Sequence, residues 1–80
     1  MKRSDLVAWL KSKGYVSCTG RVFHHPERPQ IRYIVDEFEV RFEKSNTSGT
    51  MWSMIRHGNI PELSLNEENN RIRGMKLLHI

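Results

Sequence analysis

The sequence predicts an α+β domain in which two helices lie on one face of a small three-stranded antiparallel sheet, in the order α-β-β-β-α, followed by a C-terminal extension. Three observations predict it. An apolar stripe at helical spacing opens the chain and stops at Gly14. Period-2 runs fill the stretch from Ile31 to Glu43, and a Met-rich stripe at i, i+3, i+4 spacing follows Thr50.

Ser4 is placed to cap the first helix, residues 4 to 13, with Asp5 in its first turn as the helix dipole favours. Leu6, Val7, Trp9 and Leu10 form its apolar stripe, Lys11 and Lys13 fall in its last turn, and Gly14 stops it. Tyr15 to His25 is the first strand, with Val16, Cys18, Val22 and Phe23 as β-compatible residues and Gly20 as a point of bulge or close approach. Two prolines in His25-Pro26-Glu27-Arg28-Pro29 then force a rigid turn, and the chain returns through Gln30 and Ile31 as the second strand. Ile31, Tyr33 and Val35 alternate on odd numbers, whereas Phe38, Val40 and Phe42 alternate on even ones. Either a β-bulge in one long strand or a tight turn at Asp36-Glu37 accounts for the slip. Ser48 or Thr50 would cap the second helix, Thr50 to His57, which turns Met51, Met54 and Ile55 toward the sheet and ends at Gly58.

Eighty residues make one domain: 1–60 form the core and 61–80 the extension. A chain of this size buries only about 60% of the surface that it exposes when unfolded, so it has one modest core. The extension is expected as a helix, with Ser64 to Glu67 as its capping box and Leu65, Ile72, Met75 and Leu78 on one face. Asn69-Asn70 and Gly74 argue instead for turns and an edge strand. The apolar tail, Met75, Leu77, Leu78 and Ile80, suits covering a sheet edge, its own or that of a second copy in a homodimer.

An apolar fraction of 38% and a charged fraction of 28% suit a soluble globular protein. With no apolar run of about 18 residues and no leader pattern, no membrane association is expected and the location is cytoplasmic by default. The single Cys18 excludes an internal disulfide and is expected to be a small buried hydrophobe. The net charge of +4 is segregated. Residues 1 to 32 carry seven Lys/Arg against two acids, residues 33 to 70 three against seven, and residues 71 to 80 three against none. Basic segments sharing one face would suit a polyanion such as RNA.

Three segments carry a family resemblance. Residues 1 to 15, MKRSDLVAWLKSKGY, resemble the first helix of HicA-type toxins; Ser48 to Gly58 resembles that family's last helix; and Phe23-His24-His25-Pro26 is similar to the end of its first strand. Together they span about residues 1 to 60. The resemblance implies a double-stranded-RNA-binding-like fold, a toxin-antitoxin setting with a protein antitoxin, and a metal-independent ribonuclease whose catalytic base is the histidine of a Gly-Ser-His element. In this chain Gly20 is followed by Arg21 and Val22, so no histidine occupies that position.

RNA cleavage without a metal needs a general base near a 2′-hydroxyl and cations on the phosphate. His24 and His25 are the candidate bases, with His57 more distant in sequence, and Lys11, Lys13, Arg21 and Arg28 are the candidate phosphate ligands. Adjacent strand residues point to opposite faces, so His24 and His25 cannot both serve one site, and a His-His metal pair is excluded with them. No metal spacing, phosphate-cradling glycine loop or nucleophile elbow is present, and no cofactor is implied. Two functions follow. One is a small RNA-binding protein, whether or not catalysis is retained. The other is an interaction module of phage or regulatory type that binds a host protein through Glu37, Glu39 and Glu43, Trp52 and the C-terminal tail.

Overall fold

The computed structural model describes residues 1–66, 68 and 71–78. Among these the chain is mostly β. It runs α1 (Arg3–Ser12), β1 (Val22–His25), β2 (Arg28–Val35), β3 (Glu39–Ser45), β4 (Trp52–Asn59), a short 3-10 helix (Ile60–Glu62), β5 (Ser64–Asn66), β6 (Arg71–Arg73) and β7 (Lys76–Leu77). A five-stranded antiparallel sheet has the order β1-β2-β3-β4-β7, and β5 and β6 pair separately as a hairpin. This corrects the expected architecture of two helices on a three-stranded sheet: the described residues hold one α-helix.

The helix forms where its apolar spacing places it, and its ends are set by neighbours. The Asp5 carboxylate accepts a hydrogen bond from the Lys2 backbone N–H at 3.3 Å, so Lys2 is the cap and Ser4 lies inside the helix. At the other end Gly14 takes φ +89°, and the Gly14 and Tyr15 amides donate back to the Lys11 and Leu10 carbonyls. A Cβ at Gly14 would stand 3.0 Å from His25 Nε2, so both the backbone and the packing require glycine there. Leu6 and Leu10, fully buried, meet Phe23, Val35 and Val40 of the sheet together with Ile60 and Leu63.

The slip in alternation is a turn. Asp36 N–H donates to the Glu39 carbonyl, and Val35 faces Val40 across the hairpin. Odd positions of β2 therefore pair with even positions of β3, and Tyr33 lies opposite Phe42 on the same face. Phe38 falls in that turn and is 64% exposed.

The segment expected as the second helix is β4. Seven residues from Trp52 to Asn59 pair with β3, and Ile55 is the extra residue where Phe42 faces Arg56 and Glu43 faces Met54. Asn46 builds the connection: its side-chain oxygen accepts from the Thr50 and Met51 amides while Gly49 takes φ +72°. The Asn-Thr-Ser-Gly sequence is thus a hairpin loop rather than a helix cap. An unpaired β3 would leave a row of backbone donors and acceptors to water, and satisfying that row outweighs the weak helical preference of an eight-residue stretch. Met51, expected in the core, is 69% exposed.

The extension forms the β5–β6 hairpin and the edge strand β7, not a helix. β7 pairs with β4 through Lys76 and Leu77, and Leu78 N–H donates to the Ile55 carbonyl. Glu67 of the proposed capping box, the Asn69-Asn70 turn signal and Ile80 lie outside the described residues. Cys18, expected to be buried, is exposed in the loop before β1.

Candidate nucleic-acid interface

The two faces of the main sheet differ in what covers them. On one face Phe23, Tyr33 and Phe42 form a cross-strand row, with Val35 and Val40 beside it; α1, Ile60, Leu63, Ile72 and Met75 pack on that side. Strand alternation sends the intervening residues to the other face. There Val22, Ile34, Arg41, His57 and Lys76 form one row across all five strands, and His24, Arg32, Glu43 and Met54 form a second across four. Ser45 and Trp52 continue the second row's edge. The helix and the β5–β6 hairpin both pack on the opposite side, and this second, open face exposes His24 and Lys76 while Ile34, Glu43 and Ser45 on it are buried.

Its centre is ordered by polar contacts. Arg32 Nε donates to Glu43 Oε1 at 2.7 Å, and the Arg32 guanidinium lies 4.0 Å over the Trp52 ring. Glu43 is only 9% exposed, shielded by that pair. An arginine held between a carboxylate and an indole loses little further freedom and restrains the ring. Beside it, Ile34 is 4% exposed. Arg41 Nε is shut away from solvent and has no hydrogen-bond partner. The face thus presents Arg41 and Lys76 with His24 and His57, together with the exposed Glu39, which shares the strand face of Arg41 and lines one hollow with His57 and Lys76, while the Glu43 charge is matched by Arg32.

The expected site residues do not converge. His24 lies on the open face opposite Arg32 and is exposed. His25 is a structural residue: its Nε2 lies 3.1 Å from the Lys13 carbonyl and its Nδ1 accepts from the Glu27 amide at 3.1 Å. A carbonyl only accepts and an amide N–H only donates, so the ring carries its proton on Nε2 and both nitrogens are engaged. Tyr15 packs edge-on against it with centroids 5.1 Å apart.

Lys11 is exposed on the last turn of α1, and Lys13 lies 5.9 Å from the Trp9 ring, both on the helix side of the sheet. Arg21 is committed to Asp36 at 2.6 Å, and that guanidinium holds the Asp36 carboxyl below the usual carboxylate range. Arg28 begins β2, beside the two-residue turn after β1. The acids are dispersed as well. Glu37 is exposed in the β2–β3 turn, Glu39 faces Asn59 at the start of β3, and Glu43 is buried in its pair. Glu39 and Glu43 share one face of β3 with Arg41 between them, so the expected acidic row is interrupted by a cation.

Arg32 and Arg41 were not singled out by sequence. The signal lay in the off-phase positions of the two strands, where arginines alternate with the apolar residues of the core face. No three His, Cys, Asp or Glu side chains come together as a metal site among the described residues, and no described helix is long and apolar enough to cross a membrane. No family model, no curated protein and no solved structure matches the chain.

Proposed function

We propose that the chain is a single-stranded RNA-binding module that uses the open face of its sheet. The observation that carries this reading is the Trp52 ring, restrained by the Arg32–Glu43 pair on the open β-surface beside Arg41, His24, His57 and Lys76. Single strands bind to such surfaces by stacking bases on aromatic rings while cations track the phosphates, and each stacked base is worth about 1–3 kcal/mol. A duplex would engage a broader array of phosphate ligands, and the basic residues of α1 face away from this surface.

Fluorescence anisotropy with a labelled single-stranded RNA tests the reading. Binding should weaken steeply with added salt. Trp52→Ala should weaken it by roughly tenfold or more, Arg41→Gln by a smaller factor, and Lys11→Gln should leave it unchanged. RNA binding that Trp52→Ala does not alter, or no salt-dependent binding at all, rejects it and leaves a protein partner as the occupant of this face. Any RNA cleavage should be lost in His24→Ala, the histidine on the open face.

A further inference from the structure

On the helix side of the sheet a cleft of about 320 Å³ opens between α1, the sheet and the β5–β6 hairpin. Its walls come from separate elements: Trp9 from α1, Tyr33 and Arg56 from β2 and β4, Arg71 and Ile72 from β6, and Met75 from the strand-to-strand connection that follows. Two arginines from separate strands, Arg56 of β4 and Arg71 of β6, thus line one cleft. Among the described residues no carboxylate lines it and neither arginine has an ion-pair partner. The Trp9 indole N–H is buried and has no acceptor, and burial keeps Tyr33 a neutral phenol far above neutral pH.

We infer that this cleft binds a phosphate monoester carried on a flat ring, of the nucleoside 5′-monophosphate class. Two arginines lining one cleft without a counter-charge favour an anion there, which can accept charge-assisted hydrogen bonds from both. Trp9 and Tyr33 offer aromatic surface and Ile72 and Met75 apolar surface, which suits a planar body better than a bare ion. The volume lies in the range of small-ligand sites. The cleft is on the opposite side of the sheet from Trp52, so this site stands or falls independently of the RNA-binding reading.

The test is titration of the full chain with adenosine 5′-monophosphate, adenosine and inorganic phosphate, followed by calorimetry and by the two indole N–H resonances in an NMR spectrum. Saturable binding of the monophosphate, at least about tenfold tighter than adenosine or phosphate alone, with the Trp9 signal moving and the Trp52 signal still, is the expected result. Arg56→Gln and Arg71→Gln should each weaken it by about tenfold or more, while Trp52→Ala leaves it unchanged. Should Arg56→Gln not fold, Arg71→Gln, on the exposed hairpin, carries the test. No saturable binding, equal affinity for adenosine and the monophosphate, or affinity that survives both replacements overturns the inference.

Discussion

The covered and open faces of the main sheet are built from the same strands and hold themselves together differently. On the covered face Phe23, Val35 and Val40 lose nearly all contact with water against Leu6, Leu10, Ile60 and Leu63. The open face has no second layer. Ile34 and Glu43 are nonetheless buried on it, and Arg32 bridges the Glu43 carboxylate and the Trp52 indole. Stability therefore resides on one face, and the other is free to carry charge and an aromatic ring at modest cost. This division allows binding and folding to be separated by substitution.

The largest expected effect is on the covered face. Phe23→Ala removes a side chain that is 1% exposed at the centre of the core, and about 3–5 kcal/mol should be lost. For a domain this small that is a large part of the total, and denaturant unfolding should show a mostly unfolded protein in water. Were Phe23→Ala and Trp52→Ala to cost the same stability, the division between faces would fail.

Next in size is an alkaline effect confined to the covered side. Burial, reinforced by Tyr15 and opposed by Arg56, pushes the Tyr33 phenol up to about 12, against about 10 in an unfolded chain. The folded state keeps the proton that the unfolded state releases, so the stabilisation is complete below pH 10 and is lost as pH rises toward 12. Melting temperature should fall across that window, by an amount worth on the order of 2–3 kcal/mol, and Tyr33→Phe should flatten the fall.

Smaller again is Glu43→Gln, which removes the charge that pairs with Arg32. Because Arg32 remains partly exposed, the cost should be roughly 1–2 kcal/mol rather than that of a fully buried pair. Its sharper consequence is for Trp52, whose ring loses a fixed partner. RNA affinity should fall although no base contact has been removed, and a circular dichroism melt beside the anisotropy titration separates the two effects.

The smallest effect lies at the exposed end of the sheet, at Asp36. Its carboxyl is lowered by the hydrogen bond from Arg21, so its contribution is present above the unfolded carboxylate range and disappears as pH falls through its folded value. Because the pair is solvated, Asp36→Asn should change melting only slightly at neutral pH and should remove a shallow part of the acid dependence. A loss as large as that of Glu43→Gln would show that burial does not set the ranking.

What was legible in the sequence follows from how local its cause is. The first helix, its stop at Gly14, the prolyl turn after His25 and the two-phase alternation around Asp36 each depend on residues within a turn of one another. The phase slip is fully accounted for by a hairpin that pairs odd positions with even ones. Thr50 to His57 was not legible as a strand, because Met51, Met54 and Ile55 fit a helical stripe and only the unpaired edge of β3 decides against it. Residues 61 to 78 were ambiguous for the same reason, since β7 has just two residues and owes its form to β4.

The candidate site divides the same way. His24 and Trp52 stood out as residue types, and alternation alone separated His24 from His25. The match of Arg32 with Glu43, the interruption of the supposed acidic row, and the placing of Arg56 and Arg71 on one cleft join residues that are distant along the chain. The sequence by itself determined the first helix, the turns and which strand positions share a face, because those depend on backbone preference and period. Only the tertiary structure decided which face is covered, that the second expected helix is a strand, and which charges are neutralised. Those outcomes depend on long-range pairing and desolvation, which no local window contains.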